Sequence, residues 1–509
     1  MSMLPSWVAA GLDLLATLFV VAVGFGVLAV ASMFVADVRQ SEDAIRRNYP
    51  VVGRFRELFS TLGEFFRQYF FAMDREELPF NRAERGWANR SANGRDNTIA
   101  FGSTRLLTVP GTPIFVNCPF PPLDSDYAAT EPLTFGPSAD IPYAAPSLVN
   151  ISGMSYGAIS KPAVMALARG AAKAGCWLNT GEGGLSPYHL DGGADIVFQI
   201  GTAKYGVRTP EGQLSDEKLR KVAGHASVRM FEIKLSQGAK PGKGGILPAA
   251  KVNAEIALIR GIPEGADSLS PNRHPEVDTI DELLDFIGHV RAVTGKPTGF
   301  KAVMSSEAWL DDLCTAIHRR GVDTAPDFIT VDGGDGGTGA APMPLMDCVG
   351  LPLREALPMT ADALMRHGLK DRIRLIASGK LVTPSSAAWA LAAGADVVTT
   401  ARGFMFALGC IQALKCNQNT CPTGITTHVK RLQSGLDPAD KANRVANYAK
   451  TLVKEIETIA HSCGVREPRR LKRHHVRIVQ DDGRSTPLNR IYPVPEAGVA
   501  TAGEPTQRP

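Results

Sequence analysis

The chain has 509 residues, enough for two or three average domains or for one α/β barrel with additions. Hydrophobic residues make up 44% and charged residues 21%, the balance of a folded globular protein, which excludes wholesale disorder. Fifty-five Lys and Arg against 51 Asp and Glu leave a net charge of +4, with no dense basic block ahead of the C-terminal tail, so nucleic acid is not an expected partner.

The first predicted element is an apolar helix. Leu14 to Ala36 is an uncharged run of 23 residues, long enough to cross ~30 Å of hydrocarbon. No Lys or Arg precedes it, whereas Arg39, Arg46, Arg47, Arg54 and Arg56 follow it. The positive-inside rule then predicts a single-pass membrane protein with its catalytic part in the cytoplasm. A cleaved signal peptide wants a basic leader and a shorter core, and this segment has neither. Residues 1–39 are therefore read as the anchor and 40–96 as a juxtamembrane, mostly helical segment. Its aromatic stretch (Phe55, Phe59, Phe65, Phe66, Tyr69, Phe70, Phe71) suits either an interfacial helix on the bilayer or a helix packed on the main domain.

From Asn97 the chain alternates short apolar strands with helical stretches, the pattern of a parallel sheet. The predicted strands are Leu148–Ser152, Trp177–Thr180, Ile196–Ile200, Met230–Lys234, Thr298–Val303, Phe328–Val331, Ile373–Ala377 and Ala395–Thr400. Eight such units predict a closed (β/α)8, or TIM, barrel over 97–470, and no G-x-G-x-x-G follows the first strand to suggest a dinucleotide fold. The Pro-rich stretch from Pro110 to Pro146 is too apolar for a free linker and reads as an ordered lead-in. Residues 471–509 read as a tail with a disordered end.

In a barrel the loops after the strands share one face and carry the chemistry. Here they are rich in glycine: Ser152-Gly153-Met154-Ser155 after the first strand, Gly181-Glu182-Gly183-Gly184 after the second, Asp332 to Gly339 after the sixth. Ser378-Gly379-Lys380 and Thr400-Ala401-Arg402-Gly403 follow the seventh and eighth. Glycine lets backbone N–H groups approach a phosphate, so this convergence points to a phosphorylated cofactor. Lys234 closes the fourth strand, with Gln237 and Lys240 on the loop behind it. Lys301 sits inside the apolar fifth strand, where an ammonium needs an anionic partner.

The sharpest motif is Cys410-x5-Cys416-x4-Cys421-Pro422, three of the eight cysteines within one short Asn/Gln-rich turn. Three thiols at this spacing suit an iron–sulfur cluster better than a tetrahedral zinc, and His428 is the nearby alternative for a fourth ligand. The other five cysteines are scattered and read as ordinary buried side chains.

These residues carry a family likeness. The stretch from about Asn150 to Gln433 resembles the FMN-binding synthase domain of glutamate synthases, through Met154-Ser155-x-Gly157-x-Ile159-Ser160, Gly181-Glu182-Gly183-Gly184, Gln199, Gln237-Gly238-Ala239-Lys240-Pro241-Gly242, Asp335-Gly336-Gly337-Thr338-Gly339-Ala340 and Gly409-Cys410-Ile411 with the cysteine pattern. The resemblance implies a barrel holding FMN, with a 3Fe–4S cluster on Cys410, Cys416 and Cys421. It implies that 2-oxoglutarate condenses with ammonia and that the 2-iminoglutarate formed is reduced to L-glutamate. Glu182, Lys234, Gln237, Lys240 and Arg260 are the implied catalytic and substrate-binding set. Ser152, Met154, Ser155, Gln199, Lys234, Lys301, Gly334, Asp335, Gly336, Gly337, Gly379, Thr400, Ala401 and Arg402 are the implied FMN contacts. His274 matches one of two adjacent histidines of the larger enzymes, with Pro275 in place of the other.

The likeness does not extend to a glutamine amidotransferase or an NAD(P)-binding domain. The expected nitrogen source is therefore free ammonia or a partner glutaminase subunit, and the expected electron donor a ferredoxin or a reductase subunit; the oligomeric state is left open. Two other readings stay in view: an amino-acid or N-methylamino-acid dehydrogenase-like enzyme feeding a membrane carrier, and a non-catalytic assembly scaffold.

Overall fold

Helix α1 (Ser6–Arg39) carries its apolar side chains exposed, and from Trp7 to Arg39 it is long and apolar enough to cross a membrane. Its last turn is anchored by polar contacts. The Asp37 carboxylate is fully buried and takes the Arg54 guanidinium through two hydrogen bonds, Nη2 to Oδ1 at 2.7 Å and Nε to Oδ2 at 2.8 Å, together with the Val51 N–H at 2.9 Å. Helix α2 (Gly53–Phe66) starts from this clamp and exposes Phe55, Leu58, Phe59 and Leu62, one stripe at helical spacing. This computed structural model describes residues 5–40, 43–128 and 130–495. Residues 1–83 form one compact unit and residues 84–509 a second. The expected disordered end, 496–509, lies outside the described residues.

The second unit is built on eight parallel strands: β1 (Val149–Ile151), β2 (Leu178–Asn179), β3 (Ile196–Ile200), β4 (Val228–Lys234), β5 (Thr298–Ala302), β6 (Phe328–Asp332), β7 (Arg374–Ser378) and β8 (Val397–Thr400). Each pairs with the next and β8 returns to β1, with Val398 opposite Val149 and Thr400 opposite Ile151, so the sheet closes. This is the eight-stranded barrel expected from the sequence. Helices such as α3 (Lys161–Ala174), α4 (Ala254–Arg260) and α5 (Pro438–Ser462) surround or cover it, and α3 packs along α5.

The end of the barrel where the strands begin is sealed. A hairpin of Leu133–Phe135 and Tyr143–Ala145 delivers Phe135 and Tyr143 into a cluster with Trp177, Val197, Met230, Phe328, Ile376 and Val397. Phe135 meets the Trp177 and Phe328 rings edge-on, at centroid distances of 5.7 and 5.8 Å. Access is left to the opposite rim, where the strands end.

Residues 471–495 fold onto the same unit instead of trailing from it. Val476–Val479 pairs antiparallel with both Pro113–Phe115 and Ser485–Pro487. The basic character of this segment misleads on sequence alone, because Arg473 is buried and bonds to Asp362, Nη1 to Oδ2 at 3.1 Å.

Candidate active site

Strand periodicity decides what enters the barrel. Along β4, Met230, Glu232 and Lys234 share the inner face. Lys234 stands in register with Lys301 of β5, so two ammonium groups sit on neighbouring strands and each needs an anion. Lys234 Nζ lies 3.0 Å from Glu182 Oε2 and also donates to Gln237 Oε1. Lys301 Nζ lies 3.3 Å from Asp332 Oδ2, which accepts in addition the Gly238 N–H at 2.8 Å. Burial alone would push Lys301 down, but Asp332 and then Glu232 outweigh it and hold its pKa above the usual lysine range.

Above these pairs a cleft opens. Glu182, Gln199, Lys234, Gln237, Lys240 and Arg260 line it on one side, with Met154 and Ser155 from the β1 loop. Gly337, Ala401, Arg402 and Cys416 also line it. Ser152 and Lys301 face instead a smaller cavity below, shared with Asn179, Glu232, Thr330 and Thr399. Gln237 Nε2 donates to Thr338 Oγ1 at 3.0 Å, which ties the β4 loop to the β6 loop.

Two cations in the cleft are incompletely paired. Lys240 is 4% exposed, and its ammonium makes neither a hydrogen bond nor an ion pair among the described residues. Burial is the main reason its pKa falls to about 8, with Lys234 and Lys243 adding repulsion and Glu182 opposing them. Arg260, the last residue of α4, is also 4% exposed. It donates Nη1 to Ser268 Oγ at 3.2 Å and Nη2 to the Tyr156 carbonyl at 3.4 Å, lies 5.0 Å from the Tyr205 ring centroid, and leaves Nε without a partner. Burial would raise the Glu182 pKa, but Lys234, Lys240 and Arg260 together bring it below the usual range. The cleft therefore carries an excess of positive charge next to a single carboxylate, which suits an anionic ligand.

At several positions the glycine loops are packed too tightly for a side chain. Gly181 has φ +62°, and a Cβ there would lie 2.6 Å from the Ser155 N atom. A Cβ on Gly334 would lie 2.3 Å from the Gly350 carbonyl oxygen. Gly334, Asp335, Gly336, Gly379 and Thr400 build the rim without lining the cleft: Asp335 Oδ1 accepts the Leu353 N–H at 3.1 Å, and Thr400 Oγ1 the Gly403 N–H at 3.3 Å. Arg402 donates to the Thr338 carbonyl and holds the loop end over Gly337.

The cysteine loop closes one wall. Lys251 Nζ staples it to the barrel, donating to the carbonyls of Cys416 at 2.8 Å, Thr426 at 2.7 Å and Ala158 at 3.3 Å. Gln412, Leu414 and Asn419 all adopt positive φ, of 58°, 55° and 59°, a conformation that non-glycine residues take up at a cost. Burial raises the Cys410 thiol, whereas Cys421 is brought below its usual range because hydrogen bonds from Thr423 and Thr426 outweigh its burial. Among the described residues no three His, Cys, Asp or Glu side chains are gathered so as to hold a metal ion. His428 is engaged elsewhere, its Nε2 lying 2.8 Å from the Gly157 carbonyl. His274 lies beneath the site, Nε2 3.1 Å from the Lys234 carbonyl and Nδ1 unpartnered, with burial pushing its pKa down to about 4.

Sequence reasoning missed the layer below the cleft. Glu232 is buried between Asn179, Gln199 and Thr330, and Asp332 serves Lys301. The available signal was a Glu two positions before Lys234, on the same face of the strand.

Residues 139–466 match the family model described as the conserved region in glutamate synthase. The chain is 39% identical over 492 residues to a glutamate synthase large subunit-like protein, YerD, of Bacillus subtilis (strain 168), covering 89% of this chain and 93% of that protein. The chain belongs to the glutamate synthase family. As a member it is an oxidoreductase of the class that acts on CH–NH2 donors. The archaeal glutamate synthase [NADPH] of Methanocaldococcus jannaschii is 36% identical over 333 residues, which span 65% of this chain and 61% of that protein. Among solved structures, a mandelate oxidase aligns with a TM-score of 0.42 at 17% identity, covering 76% of this chain and 88% of that one.

Proposed function

We propose that the second unit forms L-glutamate by reductive amination of 2-oxoglutarate, using FMN and a 3Fe–4S cluster, and that α1 holds it to a membrane. The observation that carries this reading is the pair of cations in one cleft. Lys240 has no partner among the described residues and Arg260 makes only two long hydrogen bonds to neutral groups, which leaves two cations for the separated anionic ends of a dicarboxylate.

The residues present suit both groups. Gly337, with no side chain, and the Arg402 guanidinium beside it both line the cleft, a setting that suits a phosphate. The three thiols lie near enough to affect one another's ionisation, and backbone N–H groups point at two of them, the setting of iron–sulfur ligands. Bound there, flavin supplies a hydride to the substrate carbon and the cluster supplies electrons singly.

The chain's own part in the reaction is electrostatic. Lys240 and Lys234 hold the carboxylate beside the 2-oxo group, and Arg260 holds the distal one. Ammonia adds to the carbonyl carbon and water leaves, giving the 2-imino acid. The cationic cleft draws electron density toward the nitrogen and favours hydride addition at carbon. A proton then completes the amine. Glu182, kept ionised by Lys234, orients the lysine and does not act as an acid.

Anaerobic assay of the full chain in detergent, with reduced viologen, 2-oxoglutarate and ammonium, tests the proposal. Glutamate formation that requires all three supports it. Absence of glutamate with flavin and iron both present overturns it.

A further inference from the structure

Glu232 lies mid-strand on the inner face of β4, 3% exposed, where a carboxylate must find its partners within the protein. Its Oε1 accepts from Asn179 Nδ2 at 2.8 Å and from Gln199 Nε2 at 2.7 Å, and its Oε2 accepts from Thr330 Oγ1 at 2.6 Å. The orientation of Asn179 is set independently, because its Oδ1 accepts the Gly181 backbone N–H at 2.9 Å and only its NH2 group is left for Glu232. A carboxylate has no proton to donate, so Gln199 must also turn its NH2 toward Glu232. Gln199 lines the cleft, and its Oε1 takes no hydrogen bond among the described residues.

We infer that Glu232 is a positioning residue that fixes the polarity of the Gln199 amide, so that the cleft sees an acceptor oxygen beside one remaining N–H. That pair is complementary to a ring edge in which an N–H donor stands next to a carbonyl, the imide edge of a pyrimidine-like ring. The inference rests on the flavin reading above and narrows it: the isoalloxazine imide edge, and not its benzenoid edge, meets Gln199. Lys301 balances the Glu232 charge through space without reaching Gln199, so charge and positioning can be separated by mutation.

The two functions predict opposite behaviour in two variants. Glu232→Gln removes the charge but keeps the reach: its amide oxygen still accepts from Asn179 and Gln199 while its NH2 meets Thr330. Glu232→Asp keeps the charge but retracts the carboxylate by one methylene. The readout is the dissociation constant of FMN against N3-methyl FMN, which lacks the imide proton, measured by flavin fluorescence on refilled full-length protein. Wild type should prefer FMN by about tenfold, the scale of one buried hydrogen bond. Glu232→Gln should keep most of that preference and Glu232→Asp should lose it, with the 15N resonance of flavin N3 shifting only in the Asp variant. A preference lost in Gln and kept in Asp assigns a charge role and overturns the inference, as does loss in both or in neither. A wild type that binds both flavins equally overturns it whatever the variants do, while leaving the flavin reading intact. A wild type that binds no flavin removes that reading itself.

Discussion

Lys234 Nζ and Glu182 Oε2 meet at 3.0 Å across the barrel mouth, joining the end of β4 to the loop after β2. Lys240, which lines the same cleft, has no ion-pair partner among the described residues. Three cations around one carboxylate leave the cleft with surplus positive charge, the basis of the dicarboxylate proposal, and its pH behaviour should show this.

Lys240 gives the first prediction. With its pKa brought down to about 8, it is an ammonium at neutral pH and loses its proton as the pH rises through that value. The KM for 2-oxoglutarate should therefore be lowest below pH 8 and climb above it. Lys240→Arg keeps its charge throughout and should flatten the climb between about pH 7 and pH 9.5. A flat wild-type profile would falsify the role given to Lys240.

Arg260→Ala should raise the KM for 2-oxoglutarate by about tenfold to 150-fold, the cost of one charge-assisted contact of about 1.5–3 kcal/mol. Arg260→Lys should recover only part of this, because an ammonium lacks the planar fork. FMN content should stay constant in both. Turnover of a monocarboxylate such as pyruvate, poor from the start, should not respond to the mutation. An unchanged KM removes the dicarboxylate assignment.

Gly334→Ala forces a Cβ to within 2.3 Å of the Gly350 carbonyl oxygen, whereas Gly339 has nothing within 4 Å of the same position. Overpacking of this kind costs about 1–3 kcal/mol. Thermal unfolding should show a lowered midpoint for Gly334→Ala and an unaltered one for Gly339→Ala. Equal midpoints would show that the β6 loop gives way easily.

The barrel was legible because each strand is a short apolar run and eight of them fit only a few architectures. The rim residues Lys234, Gln237 and Lys240 were legible because charged and amide groups at a strand end have little structural excuse. Glu232 was not, since a lone acid in a strand reads as a solvent-facing residue until closure of the sheet turns that face inward. The Phe135 and Tyr143 plug was hidden for a similar reason: a Pro-rich lead-in has no periodicity to reveal which rings it inserts. Lys251 could not be recognised either, because its partners are backbone carbonyls brought together by folding.

Cys416→Ser should abolish the electron paramagnetic resonance signal of a 3Fe–4S cluster and the bound iron, while leaving FMN in place, because the glycine loops belong to other strands. Flavin reduced by light in this variant should still react with 2-oxoglutarate and ammonium. Loss of flavin along with iron would make the cysteine loop a structural wall of the cleft.

Removal of residues 1–40 should shift the protein from the carbonate-resistant membrane fraction to the soluble fraction, since α1 is the one candidate span among the described residues. FMN content and viologen-driven turnover should survive. A full-length chain already soluble without detergent rules out anchoring.

The most direct test of the central claim is an anaerobic single turnover. The flavin of the full-length protein is photoreduced and then mixed with 2-oxoglutarate, with ammonium, or with both, while flavin absorbance and L-glutamate are followed. The account predicts reoxidation only when both are present, with glutamate formed in proportion to the electrons released. Reoxidation by neither combination, or reoxidation without glutamate, would contradict it.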